Sequence, residues 1–359
     1  MALKEQLQKL ATERSTPCVT ISLNTHRTHP DNAQDAIVLK NLLKEAETRV
    51  IDEFGKRPAA SLLDKIKNAE TEIDINYNLD SLHIFLSNDT QEIVKSTWPT
   101  TQVGVHISET FAIRPIIKAY NRSETYLIML LSQSGVQLYE AMNDGIIGEI
   151  RNNEFPFSEN RHYTTHADKA SDPKQVDDLV REFLNRVDKA LVKIAQETDL
   201  KCVVVCTEDN YSRLMQVADK PSIYHGYAPI NYNNTATHQI VNQTWEIIAN
   251  LQKQRRTQAI GEMKEAVAQG KVLTDLQEIY QAAIDGRGDL LIVHQDFAQP
   301  VLMKDERTFD LIEDATTPGA IDDITSNIAW EVISKKGRVF FTAQDEIKDL
   351  GQIVLKTRY

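Results

Sequence analysis

Hydrophobic positions follow two different periods in the first third of the chain. The run Cys18–Asn24 is β-branched, follows a proline and predicts a strand. Residues 33–54 place apolar side chains three and four positions apart, which predicts a long helix. The other elements predicted here are a helix after Pro58, strands at 82–87, 92–98 and 102–107, and a segment at 111–117 that Pro115 interrupts.

The middle of the chain predicts a mixed sheet with a crossover helix. Residues 125–133 are almost continuously apolar, as in a strand buried on both faces. Two further strands joined by turns follow, and a helical apolar stripe runs over residues 175–196. The apolar run Cys202–Cys206 predicts another buried strand, and residues 222–232 are interpreted as a connection. This order is compatible with a ribonuclease H-like sheet in a three-layer domain.

The last third predicts an α/β/α sandwich. It begins with a long helix over about Thr237–Gln269. The further elements predicted are a helix from about residue 273, strands at 289–294, 300–304, 338–343 and 352–358, and a helix at 321–336. The fold class is therefore α/β, with three consecutive α/β domains at residues 1–120, 121–232 and 233–359.

One long stretch shows neither the helical nor the strand period of apolar positions. Residues 152–175 are predicted to form a loop, and structureless segments of this length inside a compact domain are usually functional or disordered. His162, His166 and Asp168 are weak candidates for metal ligands, although solvated or RNA-facing histidines are the simpler interpretation. The further RNA-contact candidates in this loop are Arg161, Lys169, Lys174 and Gln175.

The composition of the chain limits the classes of partner that the protein is expected to bind. The net charge of −12 argues against general affinity for duplex DNA, because such binding depends on neutralising phosphates. No apolar run reaches the roughly 18 residues that span a bilayer, so no membrane partner is expected. The amino-terminal residues lack the apolar centre of a signal peptide, which predicts a cytoplasmic protein. The three cysteines fit buried thiols in strands better than a zinc site.

Two basic motifs outside the loop are further candidates for RNA contact. His26 and Arg27 follow the first strand, at the end where α/β sheets often bind ligands. Arg255 and Arg256 form a tight basic pair on the long helix. A polar loop and a solvated helix face are the simpler interpretations of the two motifs. No phosphate-binding or dinucleotide-binding glycine motif occurs, so no cofactor is expected.

Three stretches in this order resemble the archaeo-eukaryotic peptide-chain release factor and Pelota superfamily, and most closely its bacterial relatives. They are CVTISLNTHRTHPDNAQDAIVLKNLLKEAE, the helix containing FLNRVD after the long loop, and EIYQAAIDGRGDLLIVHQD with DDITSNIAWEVISKKGRVFFTAQDE. The resemblance implies a tRNA-shaped factor that binds the ribosome and its rRNA. It also implies that the third domain has the fold of kink-turn-binding ribosomal proteins.

The chain departs from this family at its hydrolytic motif. Release factors carry Gly-Gly-Gln in the loop that corresponds to residues 152–175, whereas this chain reads Ser-Asp-Pro-Lys-Gln at 171–175. Pro173 fixes one backbone angle, and the residues before it cannot reach glycine-only conformations cheaply. We therefore expect no catalytic residue and no peptidyl-tRNA hydrolase activity.

The leading hypothesis is a translation factor for hibernation, rescue or quality control. A metal-dependent hydrolase or nuclease with its site in the 152–175 loop is the enzyme alternative. A stress-response scaffold, with a protein partner bound through the carboxy-terminal domain, is the third alternative.

Overall fold

The computed structural model describes residues 3–132, 135–158, 173–229, 237–315, 317 and 319–359. The chain forms two compact units, one of Met1–Arg122 with Arg256–Tyr359 and one of Ser123–Arg255. The boundary between Arg255 and Arg256 falls within one long helix, Thr237–Ala268. The three-domain division at 120/121 and 232/233 remains a prediction. Within the described residues, no helix is long and apolar enough to cross a membrane.

The amino-terminal part of the first unit is an antiparallel sheet covered by helices. Its elements are α1 (Leu3–Thr12), β1 (Cys18–Asn24), α2 (Ala33–Phe54), α3 (Ala60–Glu72), β2 (Ser81–Leu86), β3 (Gln91–Ser96), β4 (Gly104–Ser108) and α4 (Arg114–Arg122). The strands lie in the order β3-β2-β1-β4, and each neighbouring pair is antiparallel. One face of this sheet, with Val19, Ile21 and Ile84, packs against α2 and α3.

Helix α4 corrects one sequence prediction. The segment 111–117 was interpreted as a short stretch interrupted by Pro115, but residues 114–122 are helical. Pro115 lies in the first turn, where its missing N–H would have had no partner within the helix in any case. Proline therefore opens this helix instead of breaking a strand.

The second unit contains a mixed sheet with helices on both faces, as predicted. Its elements are β5 (Thr125–Ser132), β6 (Gly135–Met142), β7 (Gly145–Glu149), β8 (Phe157–Ser158), α5 (Pro173–Thr198), β9 (Cys202–Val205), α6 (Glu208–Val217), β10 (Tyr224–Ala228) and the first part of α7 (Thr237–Ala268). The order is β10-β9-β5-β6-β7, with β8 on β6. β9 is parallel to both β5 and β10, and the other pairs are antiparallel.

The central strands of this sheet are buried on both sides. Val204 of β9 packs with α5 and α6, and its neighbour Val203 packs with α7. The continuous apolar run of β9 is explained by these two layers. The prediction that residues 222–232 only connect two elements was wrong, because Tyr224–Ala228 forms a fifth strand in the row.

The carboxy-terminal part of the first unit is an α/β/α sandwich, as predicted. Its elements are β11 (Val272–Leu273), α8 (Leu276–Ile284), β12 (Gly288–His294), β13 (Val301–Met303), β14 (Phe309–Leu311), α9 (Ile324–Ser334), β15 (Arg338–Thr342), α10 (Gln344–Ile347) and β16 (Ile353–Thr357). The sheet order is β11-β16-β12-β15. Helices α8 and α9 cover one face, and the second half of α7 covers the other.

A glycine sets the approach of α9 to β15. A Cβ atom on Gly337 would lie 2.5 Å from Cγ1 of Val332 and 2.9 Å from the carbonyl oxygen of Gly288. Only glycine fits between this helix end and the neighbouring strand. All three cysteines are free and buried, as the sequence predicted.

Candidate functional site

The base of the predicted central loop is well packed. Asn152 Oδ1 accepts hydrogen bonds from the backbone N–H groups of Glu154 and Phe155, at 2.8 and 2.7 Å. Phe155 is fully buried. Phe157 in β8 contacts Phe155 edge-to-face and makes a second edge-to-face contact with Phe183 of α5. The chain is therefore anchored to the core just before the segment 159–172.

The interval 152–175 was predicted as a loop throughout, which is wrong at both ends. Phe157–Ser158 pairs with Gly135–Val136 as a short strand, and α5 begins at Pro173. Proline suits this position because the first helical turn needs no N–H donor there. The candidates Arg161, His162, His166, Asp168 and Lys169 lie outside the described residues. Lys174 and Gln175 lie in the first turn of α5, and their side chains also lie outside the described part.

A groove lies between α5 and α6, with Asp177 and Asp178 near the start of α5 in its wall. It has a volume of about 410 Å³. Arg213 of α6 pairs with Asp177 of α5 and with Asp209 of its own helix, each at 3.0 Å. Charge pairs of this kind on exposed helices hold the two elements together only weakly.

The predicted contact residue His26 is part of a local structure. Its backbone N–H donates to Asp35 Oδ2 at 2.7 Å, and its Nδ1 lies 2.9 Å from Asp35 Oδ1. The hydrogen bond that the His26 ring donates to Asp35 raises the pKa of the imidazole above its ordinary value. The Asp35 carboxylate is buried in the first turn of α2, a position that favours negative charge. His26 therefore closes the loop onto α2, while its ring remains half exposed.

Arg27 and the basic pair on α7 are also matched by carboxylates. Arg27 makes a bidentate pair with Asp80, through Nε at 2.9 Å and Nη2 at 2.8 Å. Arg255 Nη1 lies 2.9 Å from Glu124 Oε1. Arg256 lies 3.6 Å from Glu346. The two sequence-adjacent motifs thus carry less net positive charge than their sequence indicated.

Helix α4 holds a basic cluster that the sequence prediction missed. Arg114, Lys118 and Arg122 are four residues apart, so they share one face of the helix. Arg114 Nη2 and Lys118 Nζ donate to the carbonyl oxygen of Gln295 at 2.8 and 3.0 Å. Arg122 Nη2 lies 3.4 Å from Oε1 of the same residue. We call these three residues the α4 basic row.

The three residues of the α4 basic row differ in the groups that surround their positive charges. Arg114 is buried and forms an ion pair with Asp323 at 2.6 Å. Asp323 also caps α9 by accepting from the N–H of Thr325. Further along, burial together with Arg114 and Arg122 lowers the pKa of Lys118 to about 8. Burial and the nearby Arg256 lower the pKa of Arg122. In both cases burial is the largest cause, and neighbouring cations add to it while Asp296 acts in the opposite direction.

The signal for this row was present in the sequence as Arg-Pro-Ile-Ile-Lys-Ala-Tyr-Asn-Arg. The spacing becomes a cluster only when the segment is helical, and Pro115 favoured a different interpretation. Among the described residues, no group of three His, Cys, Asp or Glu side chains is arranged to hold a metal ion.

A family comparison covers the second unit and the segment that follows it. Residues 125–287 match the model of the Bacterial archaeo-eukaryotic release factor family 3. This part of the chain is therefore similar to a family of bacterial release-factor-like proteins. The match spans somewhat less than half of the sequence and includes the whole predicted loop. The family resemblance predicted from the sequence is thus confirmed.

Solved structures similar to this chain come from archaea and yeast. An archaeal translation termination factor, aRF1, is 11% identical over 99% of this chain and 97% of its own, with a TM-score of 0.26. A ribosome-bound archaeal Pelota is 12% identical over 99% and 94%, with a TM-score of 0.43. Dom34 of S. cerevisiae is 12% identical over 82% and 76%, with a TM-score of 0.40. No curated protein sequence matches significantly.

Proposed function

We propose that this release-factor-like protein is a ribosome-associated translation factor for hibernation, rescue or quality control that does not hydrolyse peptidyl-tRNA. The observation that carries the proposal is the family match over residues 125–287. That segment includes the sheet β10-β9-β5-β6-β7 and the whole 152–175 region. The rRNA is the expected contact, and a protein partner bound through residues 233–359 belongs to the same proposal.

The packing of the loop base supports a probing role for the segment 159–172. The chain enters this segment from β8, next to the buried Phe155, and leaves it directly into α5. A segment held at both ends by packed elements can be positioned against a partner at low entropic cost. Arg161 and Lys169 lie in the segment and Lys174 follows it, while Glu159, Asp168 and Asp172 supply three negative charges over the same stretch. Contact with phosphate would therefore depend on the individual basic side chains and not on a net positive charge of the segment.

The sequence at 171–175 supports the absence of hydrolysis. The stretch Ser171–Gln175 ends in a glutamine but contains neither of the two glycines of the release factors, and Pro173 opens α5. A catalytic glutamine needs a flexible glycine backbone to approach the scissile ester closely, and this chain does not provide one. Gln175 lies within a helical turn in this chain.

The test is co-sedimentation of the full-length protein with bacterial ribosomes at low and at physiological salt. We expect association at both, weaker at the higher salt because phosphate contacts are screened. The triple variant Arg161→Gln, Lys169→Gln, Lys174→Gln should weaken binding by about tenfold or more, since each lost phosphate contact reduces affinity. The matched control removes three exposed lysines of α2 and α3, Lys40, Lys44 and Lys67, and should leave binding unchanged.

Two results would contradict the proposal. Absence of association at both salt concentrations would exclude ribosome binding. Release of labelled peptide from stalled ribosomes above the spontaneous rate would exclude the non-hydrolytic part alone. The two parts of the proposal can therefore fail separately.

A further inference from the structure

The sheet β3-β2-β1-β4 carries polar side chains on the face opposite α2 and α3. Thr20 and Ser22 of β1 lie on this face, with His106 of β4 opposite Thr20 and His83 of β2 opposite Ser22. A sheet face packed against protein is normally apolar, and buried polar groups need hydrogen-bond partners. Each of these side chains therefore has to be matched either by the protein or by a ligand.

His83 is matched by the protein as a neutral imidazole. The Ser81 hydroxyl donates to the carbonyl oxygen of Trp98 at 2.7 Å, so it must accept from His83 Nε2, which lies 3.0 Å away. Nδ1 of His83 is then an acceptor for the Ser22 hydroxyl at 2.9 Å. Burial lowers the pKa of His83 to about 4, in agreement with a neutral ring. Because Ser22 donates its proton to His83, the Ser22 oxygen can still accept a hydrogen bond.

His106 is not completely matched by the protein. Its Nε2 atom is buried and has no hydrogen-bond partner in the described part of the chain. Burial and the nearby Arg49 lower the pKa of this ring to about 4, so the ring is neutral at pH 7. Arg49 itself donates to the carbonyl oxygen of Val105 at 2.8 Å and lies 3.2 Å from Glu45. A buried polar atom without a partner costs free energy, and a ligand with an N–H donor would remove that cost.

His106 lines a cavity that is open to the surface. Its volume is about 220 Å³, several times the ~30 Å³ that one water molecule occupies in the liquid. Gly104 lies opposite Ser22, and no heavy atom outside its chain neighbours is within 4 Å of where its Cβ would be, so the space above it is unfilled. Val103 in the wall is 55% exposed. The other apolar side chains of the wall are those of Ala112, Pro115 and Ala315.

Asp322 supplies a carboxyl group to the same cavity. The described lining residues include no lysine and no arginine. Burial and the adjacent Asp323 raise the pKa of the Asp322 carboxyl to about 7, whereas backbone N–H groups and Arg114 act in the opposite direction. Arg114 is already ion-paired with Asp323 at 2.6 Å. A buried carboxylate is stable only when it is paired, so Asp322 would be stabilised by a cation that enters the cavity.

We propose that this cavity binds a small organic cation, whose ammonium or guanidinium group is held by Asp322 and His106 and whose carbon chain lies along the apolar wall. Such a group has several N–H donors, and the cavity offers a carboxylate, an imidazole nitrogen and the Ser22 oxygen as acceptors. Hydrogen bonds between a cation and a carboxylate are about twice as strong as neutral ones. A concave site with a few convergent polar groups and a perturbed carboxyl is typical of ligand binding.

Other classes of ligand match the cavity less well. Within the described part of the chain, no group of three His, Cys, Asp or Glu side chains is arranged to hold a metal ion. An anion would meet the Asp322 carboxyl without a lysine or arginine in the described lining to offset it. The site lies outside residues 125–287 and does not rest on ribosome binding.

The test is isothermal titration calorimetry on the full-length protein without ribosomes, at about pH 8 and physiological salt. The ligands are putrescine, which carries ammonium groups, and agmatine, which carries a guanidinium group at one end. The neutral analogue 1,4-butanediol and Mg²⁺ are the comparison ligands. We expect putrescine or agmatine to bind at one site per chain and more tightly than either comparison ligand. The tighter of the two identifies which cationic group the site prefers.

Matched variants assign the contacts. Asp322→Asn keeps the shape of the side chain and should weaken binding by about tenfold or more, because it removes a charge-assisted hydrogen bond. His106→Phe keeps a ring but removes the acceptor, and should weaken binding by about twofold to tenfold. The control is Asp64→Asn, since Asp64 is exposed on α3 at the other face of the sheet. It should bind like the unmodified protein, which separates the site from general attraction to an acidic chain.

The affinity should also depend on pH. An Asp322 carboxyl with a pKa of about 7 must lose its proton to pair with a cation, so binding should be about tenfold weaker near pH 6 than near pH 8. His106 stays neutral over this range, and Asp323, which faces Asp322, is paired with Arg114. The dependence should disappear in Asp322→Asn. Because the profile of the unmodified protein needs no variant, it tests Asp322 even where Asp322→Asn does not fold.

Four results would overturn the proposal. The first is the absence of binding by both putrescine and agmatine. The second is binding of 1,4-butanediol or Mg²⁺ as tightly as the better organic cation, which would show that the cationic N–H group is not recognised. The third is an equal loss of affinity in Asp322→Asn and Asp64→Asn. The fourth is the same affinity at both pH values in the unmodified protein.

Discussion

Two kinds of basic motif occur in this protein, and their side chains have different hydrogen-bond partners. The motifs at His26-Arg27 and Arg255-Arg256 consist of neighbours in the sequence. Carboxylates from other elements pair with them, as Asp80 does with Arg27 and Glu124 with Arg255. The α4 basic row is spread over nine residues and converges on the oxygens of Gln295.

The difference concerns how positive charge is compensated. A carboxylate cancels a guanidinium charge, whereas a carbonyl oxygen satisfies the hydrogen bond and leaves the charge in place. Burial is the largest cause of the lowered pKa values of Lys118 and Arg122, and neighbouring cations lower them further. The two kinds of motif therefore differ in their partners, except at Arg114, which pairs with the Asp323 carboxylate as well as with Gln295.

The largest expected effect comes from breaking the buried end of the row. Arg114→Met removes the partner of Asp323 and leaves that carboxylate buried without its cation. We expect the free energy of unfolding to fall by about 3–5 kcal/mol, because an unpaired buried charge is strongly destabilising. Urea unfolding followed by circular dichroism measures it. Adding Asp323→Asn should restore part of the loss, and a loss below about 1 kcal/mol would show that Arg114 is not buried as described.

How much of the fold could be predicted from the sequence depends on how far apart along the chain the interacting residues lie. The bounds of β1 and the start of α7 followed from local periodicity and agree with the structure. The fifth strand β10 did not, because Tyr224–Ala228 contains a glycine and polar residues and is defined by its pairing with β9. Helix α4 was missed because Pro115 is compatible with both a helix start and a strand break.

The site was less predictable than the fold for the same reason. Glu124 and Arg255 are 131 positions apart, and no local pattern indicates that they pair. His106 and Asp322 are brought to one cavity by separate elements, and Ser108 Oγ donates to the carbonyl oxygen of Ala320 nearby at 3.0 Å. Residue type and spacing can propose which groups are chemically suitable, but tertiary contacts decide which of them meet.

An effect of intermediate size is expected at His83, as a pH dependence of the free energy of unfolding. The pKa of His83 is about 4 in the folded protein and 6.5 in its ordinary state. Between these values the unfolded chain binds a proton that the folded chain does not, so acid favours unfolding. The contribution of the neutral His83 ring to the free energy of unfolding is fully present above about pH 6.5 and is lost as the pH falls towards 4. It amounts to at most about 3 kcal/mol.

The measurement is the free energy of unfolding at a series of pH values from 7 down to 4. His83→Gln should reduce the slope in this window, while His106 keeps a contribution of the same sign. An unchanged slope in the variant would mean that His83 is accessible to protons in the folded protein. That result would also contradict the closed hydrogen-bond network with Ser22 and Ser81.

The smallest effect is expected at a sequence-adjacent motif. Arg27→Gln breaks an exposed bidentate pair with Asp80 and should lower the free energy of unfolding by less than about 1 kcal/mol, since water and salt screen such pairs. Urea unfolding at low and at high salt measures it, and the difference should shrink as salt rises. Asp80→Asn is the matched control and should have the same small effect. A loss comparable to that of Arg114→Met would remove the distinction between the two kinds of motif.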